Sequence, residues 1–199
     1  ATPDSFFVGS RIEKNADLSA RVSAMVYAGM DILDIGGCST RPGSEEVSEK
    51  EELERVLPLI KKIREEFPEV LISIDTFRAG VAKICIENGA AIINDISAGN
   101  LDDKMLETIA KYNVPYIMMH MKGTPQTMQQ QPTYENVVTE VYRHLHERIR
   151  ELRLMGVDDV IADPGFGFGK TVAQNYQLLH QLPFLCTLDV PLLVGLSRK

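Results

Sequence analysis

The chain has 199 residues, 44% apolar and 25% charged, with 21 Lys and Arg against 28 Asp and Glu for a formal net charge of −7. That length and composition suit one large domain with a core that needs no covalent staples, and the acidic balance leaves no general nucleic-acid footprint. Cys38, Cys85 and Cys186 cannot all pair and form no CxxC, which argues for a reducing, cytoplasmic compartment; no apolar run approaches the roughly eighteen residues of a membrane span, and nothing resembles a signal peptide.

Two kinds of segment alternate along the chain. A helix is predicted over 15–28, then a short apolar run, DILDIGG, over 31–37. Ser48 and Glu51 make a capping box, because each side chain can satisfy an amide left free at a helix start. Leu53, Val56, Leu57, Ile60, Ile63 and Phe67 follow at three- and four-residue steps, an amphipathic pattern that Pro58 is expected to kink. Next come VLISIDT at 70–76, a helix at 78–88, AAIINDIS at 90–97, a helix at 102–113 and PYIMMHMKG at 115–123. A cleaner helix spans 134–155, with Tyr134, Val137, Val138, Val141, Leu145, Ile149 and Leu152 on one face and Gly156 to close it. DVIADPGFGFG at 159–169, a helix at 172–182 and PLLVGLSRK at 191–199 complete the series.

The apolar runs are near-continuous rather than alternating, as expected of strands covered on both faces. Helices between such strands imply a parallel sheet with right-handed crossovers. Polar residues end all six runs instead of clustering at one switch point, which favours a TIM (β/α)8 barrel over an open sheet. A complete barrel has eight strands in roughly 250 residues. Six strands therefore predict a barrel domain over 1–199 that is truncated at both ends, lacking its first strand and everything after the seventh.

Candidate site residues lie at the strand ends. Gly36 and Gly37 allow a tight turn, and Ser39, Thr40 and Arg41 after it offer hydroxyls and a guanidinium to an oxyanion or phosphate. Asp75, Asn94 and Asp163 end three different runs; each could cap a helix or serve a ligand. Carboxylates accept paired N–H groups and an amide both donates and accepts, so together they could read the edge of a flat nitrogen heterocycle. DPGFGFGKT matches neither a P-loop nor a dinucleotide turn; Phe166 and Phe168 could fill core or stack on an aromatic ligand. Ser197 and Lys199 could hold a carboxylate or phosphate. The histidines form no zinc pattern, Met118, Met119 and Met121 read as packing, and Cys38 is a weak nucleophile candidate.

TPDSFF, LDIGGCSTRPG, SIDTFR, INDIS, MHMKGTPQTMQ, DPGFGFGK and GLSRK run in that order across the chain. The ordered set resembles the dihydropteroate synthase family of pterin-binding barrels. The resemblance implies condensation of a dihydropterin pyrophosphate with para-aminobenzoate, Mg2+ as cofactor and a homodimer for the full-length protein. It implies that Asp75, Asn94, Asp163, Gly195 and Lys199 serve the pterin, and that Thr40, Pro42, Phe168 and Ser197 serve para-aminobenzoate. Arg41 and Lys199 would be the catalytic groups, with Asp4, Ser5 and Phe6 in a mobile loop. Cys38 and Val8 stand where the family often has Glu and Asp. The family's Asn ligand for magnesium would precede Ala1, and its C-terminal Arg and His would follow Lys199, so this segment alone is expected to bind pterin poorly. A pterin-binding methyltransferase domain and a non-catalytic pterin-binding paralogue are the competing readings; STRPG and GLSRK favour the synthase.

Overall fold

The computed structural model describes residues 15–39, 47–128 and 133–196, with side chains from residue 18 onward. Its elements run α1 (Asn15–Tyr27), β1 (Ile32–Gly36), α2 (Glu49–Glu66), β2 (Leu71–Asp75), α3 (Ala79–Glu87), β3 (Ile92–Asp95), α4 (Met105–Tyr112), β4 (Tyr116–Met119), α5 (Val137–Leu154), β5 (Val160–Asp163), α6 (Val172–His180) and α7 (Leu182–Leu185). A short 3-10 turn follows at Cys186–Leu188. The strands pair in chain order, β1-β2-β3-β4-β5, all parallel. This is the α/β architecture of an incomplete (β/α)8 barrel.

Each strand is covered by the helices on one side. Ile72, Ile74, Ile93, Tyr116, Met118, Val160 and Ala162 pack in one core with Val56, Ile60 and Ile63 of α2, Val81 and Cys85 of α3, Ile109 of α4, and Val141, Leu145 and Ile149 of α5. Successive residues of a strand face opposite sides, so Asp34, Ser73, Asp75, Ile92, Asn94, Ile117 and Ile161 line the other, inner face. At its lower end Ile32 and Leu71 are exposed. Among the described residues no helix is long and apolar enough to cross a membrane.

The helix signals hold with shifted ends. Ser48 and Glu51 form the capping box on α2, which runs on through Pro58. The helix expected from 134 starts at Val137, because the Asn136 side chain accepts from Thr139 N–H and caps it. The expected sixth strand differs most. Run 191–199 makes a single bridge, Leu192 to Ala162, with hydrogen bonds Ala162 N–H to Pro191 O and Leu193 N–H to Ala162 O, both 2.9 Å. With β5 on one side and no second neighbour among the described residues, only a short stretch is held extended; residues 197–199 lie outside the description.

Asp95 organises the turn from β3 to α4. Buried on the helix side, it accepts from Ser97 N–H (2.7 Å), Ser97 Oγ–H (2.7 Å), Gly99 N–H (2.8 Å) and Tyr116 O–H (2.7 Å). Substitution by alanine strands these buried donors, and each unpaired group costs about 1–3 kcal/mol. Asp95→Ala is expected to lower the unfolding free energy by about 3 kcal/mol or more in urea denaturation; a change below about 1 kcal/mol contradicts this role.

Candidate active site

The upper rim of the inner face is set by strand register. Gly36 pairs with Asp75, Asp75 with Asn94, Asn94 with Ile117 and Ile117 with Ile161. Asp163 lies two residues beyond Ile161, on the same face, opposite Met119. Asp75, Asn94 and Asp163 thus share the C-terminal rim across β2, β3 and β5. Three strand spacings of about 4.8 Å give an arc of about 14 Å, shortened by the curl of the sheet.

The helix-capping alternative fails for all three. The first amide of α3 is capped by Asp102, whose Oδ2 accepts from Ala79 N–H at 2.7 Å, not by Asp75. No described residue donates a hydrogen bond to the Asp75 carboxyl. Asn94 turns its Nδ2 to Asp34 Oδ2 at 3.1 Å, leaving the turn to Asp95. Asp163 is tied into its own loop: its Oδ1 accepts from Gly165 N–H at 2.7 Å and so shapes the turn after β5, while Thr171 caps α6.

Several carboxyls gather at this end of the sheet. Asp75 is half-buried, and desolvation followed by the charges of Asp34, Glu52 and Asp95 raises it well above the ordinary carboxylate range. Asp34 keeps solvent access on the open side yet is crowded by protein on the other; desolvation raises its pKa against hydrogen bonds from Ser73 and Asn94. Burial pushes Asp163 up to about 6, opposed by Gly165 N–H and the charge of Lys170. Such acids gain most from a ligand that donates N–H groups or carries positive charge.

The loop after β5 is built on glycine. Gly165, Gly167 and Gly169 all have positive φ, and a Cβ on Gly165 would lie 2.1 Å from the His120 carbonyl. Only glycine admits that approach. Lys170, 4% exposed, then inserts its ammonium beneath the loop and donates to His120 O (3.1 Å), Gly165 O (2.8 Å) and Phe168 O (2.9 Å). Burial lowers its pKa to about 7, with Asp163 opposing. His120 and His144 meet edge to face at 5.1 Å; burial drives His120 down to about 2 and lowers His144, so both are neutral. Sequence reasoning passed over Lys170 and His120. A lysine closing a triple-glycine run was the available signal, since such a run turns carbonyls inward that need a donor.

The two loop phenylalanines divide. Phe166 packs against the main core, whereas Phe168 joins Ile96, Met119, Met121 and Met128 in a second cluster at the rim. Met118 belongs to the main core, so all three methionines are packing residues. Gly195 is exposed, with nothing near its Cα substituent position. Desolvation and the Glu52 charge raise the Cys38 thiol, which disfavours a thiolate nucleophile. Asp4, Ser5, Phe6, Thr40, Arg41, Pro42, Ser197 and Lys199 lie outside the described residues.

Comparison with known proteins agrees with this geometry. The family model "Pterin binding enzyme" matches residues 1–199. A dihydropteroate synthase of Synechocystis is 44% identical over 200 residues, covering 100% of this chain and 69% of its own length. The crystal structure of Yersinia pestis dihydropteroate synthase in a sulfonamide drug complex superposes with a TM-score of 0.92 at 42% identity, covering 100% of this chain and 72% of that one. Xanthomonas albilineans dihydropteroate synthase with 4-aminobenzoic acid gives a TM-score of 0.85 at 42% identity, covering 96% and 67%. With a parallel barrel, an acid-and-amide rim and these relatives in agreement, the chain belongs to the pterin-binding enzyme family, among the dihydropteroate synthases.

Proposed function

We infer that the chain acts as a transferase of the dihydropteroate synthase class. It condenses 6-hydroxymethyl-7,8-dihydropterin pyrophosphate with para-aminobenzoate, giving 7,8-dihydropteroate and pyrophosphate in folate biosynthesis. The observation that carries this reading is the rim itself: an Asp75 carboxyl with no donor among the described residues, level with Asn94, and Asp163 on the same face. The similarity to the Xanthomonas albilineans synthase, whose crystal structure holds 4-aminobenzoic acid, supports the second substrate.

The reaction needs no protein nucleophile. The amine of para-aminobenzoate attacks the pterin methylene carbon, a C–N bond forms, and the C–O bond to pyrophosphate breaks with its electron pair leaving on the phosphate oxygen. The amine proton passes to solvent or pyrophosphate. As the C–O bond lengthens, positive charge spreads into the ring, and Asp75 and Asp163 are set to stabilise it while Asn94 fixes the ring edge. Holding both substrates in line supplies much of the remaining rate. On this reading Arg41 serves the leaving pyrophosphate, and Lys199 and Gly195 position the ring. Thr40, Pro42, Phe168 and Ser197 hold para-aminobenzoate, with Asp4, Ser5 and Phe6 closing over it. The full-length protein is a cytoplasmic homodimer.

Among the described residues no group of three His, Cys, Asp or Glu side chains gathers to hold a metal. Magnesium is commonly bound by one or two carboxylates together with substrate phosphates. The cofactor is proposed as an ion brought in on the pyrophosphate.

Asp75→Asn in the full-length protein is expected to weaken dihydropterin binding tenfold to a hundredfold, the worth of a charge-assisted hydrogen bond of about 1.5–3 kcal/mol. It should leave the melting temperature unchanged or higher, since a crowded charge is removed. Calorimetric titration checks both, and unchanged affinity contradicts the assignment. Affinity should also fall as pH drops through about 6, where Asp163 takes a proton. The sign for stability is opposite: protonating an acid whose folded pKa is raised adds stability between about 6 and its ordinary 3.8, whereas neutral, buried His120 and His144 subtract it below 6.5. Binding measured from pH 5 to 8 beside melting temperature separates the two effects; a flat binding profile contradicts an ionised Asp163 as the ring acceptor.

A further inference from the structure

Lys170 is a buried cation that the reaction described above does not use. Its position 4% exposed removes a strongly hydrated ammonium from water, and a neutral side chain would fill the same space without that penalty. Its contacts show what the charge does. The three carbonyls it binds come from two strand ends: His120 follows β4, while Gly165 and Phe168 belong to the loop after β5. The ammonium therefore ties the two strand ends together directly above the sheet.

Other contacts fix the same loop from outside. Gly167 N–H donates to Asn175 Oδ1 at 2.9 Å, and Tyr134 O–H donates to Gly169 O at 2.8 Å. Within the loop, Phe168 N–H donates to Gly165 O at 3.1 Å, closing a turn whose two carbonyls both face Lys170. Turning the Phe168 carbonyl inward sets the direction of its side chain, which packs at the rim with Met119, Met121, Ile96 and Met128. Asp163, at the other end of the loop, is held by its own bond to Gly165 N–H.

We propose that Lys170 is a positioning residue for the second substrate: its ammonium, clamped on the His120, Gly165 and Phe168 carbonyls, fixes the Phe168 ring as one wall of the para-aminobenzoate subsite. This rests on the synthase reading above. Asp163 keeps its strand pairing and its bond to Gly165 when Lys170 is replaced but loses a charge that holds its pKa down, so with assays run well above the Asp163 titration the pterin subsite is affected less than the aminobenzoate subsite. The role is one of binding geometry, and it leaves the bond-making step to the substrates themselves.

The test uses the full-length protein and two variants. K170M matches the side chain's length and removes charge and donors; K170Q keeps an amide that can donate to two of the carbonyls. K170M is expected to raise KM for para-aminobenzoate at least tenfold while kcat and dihydropterin affinity change less than threefold. K170Q should shift KM in the same direction but less, and it carries the comparison if K170M does not fold. A KM within threefold of wild type in the folded variants, or a parallel loss of dihydropterin affinity, overturns the proposal. A wild-type protein that makes no dihydropteroate from both substrates overturns the synthase reading, and this role with it; a competent wild type with an unshifted variant overturns only the role of Lys170.

Discussion

Parallel pairing of β2 with β3 in a fixed register is the constraint on which the site depends. Asp75 sits level with Asn94, and Gly36 is level with Asp75 on the other side. A slip of one residue would turn each side chain to the opposite face. The carboxyl would then enter the apolar layer beneath the helices, and Ile74 would take its place on the rim. Register is held by that same apolar layer, because Ile72, Ile74 and Ile93 are fully buried there. The core beneath the helices thus fixes which atoms the inner face presents.

Neighbouring residues with similar chemistry divide their work according to face. Asn94 and Asp95 are adjacent, yet Asn94 faces the rim and bonds Asp34 while Asp95 is enclosed by four donors on the helix side. The loop after β5 repeats the division, with Phe166 in the main core and Phe168 at the rim. Glycines at positive φ make the second arrangement possible, and Lys170 gathers the carbonyls they turn inward. Burial raises the pKa of Asp34, Asp75 and Asp163, with the charges of Asp34, Glu52 and Asp95 adding to it at Asp75, so the folded protein carries a cost there that a cationic or N–H-rich ring relieves.

Much of this was legible in the residues. Runs such as VLISID and YIMM are near-continuously apolar, which marks covered parallel strands, and the Ser48 cap follows from local chemistry, whereas the Asn136 cap that starts α5 three residues late was not read. The three rim residues were readable because a polar side chain recurs at the end of successive apolar runs. Periodicity could not tell Asn94 from Asp95 as ligand or turn-former, since that depends on the distant Tyr116 hydroxyl and Asp34 carboxyl. Lys170 was missed for a related reason: His120 lies 50 residues away in sequence, and only folding brings its carbonyl to the ammonium. The run 191–199 read as a strand from composition, but strand character depends on neighbours, and its described part has a single bridge to β5.

A crystal structure of the full-length protein with a bound dihydropterin addresses the central claim most directly. The account predicts the ring lying on the inner face at the strand ends, its N–H edge within hydrogen-bond distance of the Asp75 and Asp163 carboxylates and the Asn94 amide. A ring bound elsewhere, or bound there with those three side chains turned away from it, would contradict the account.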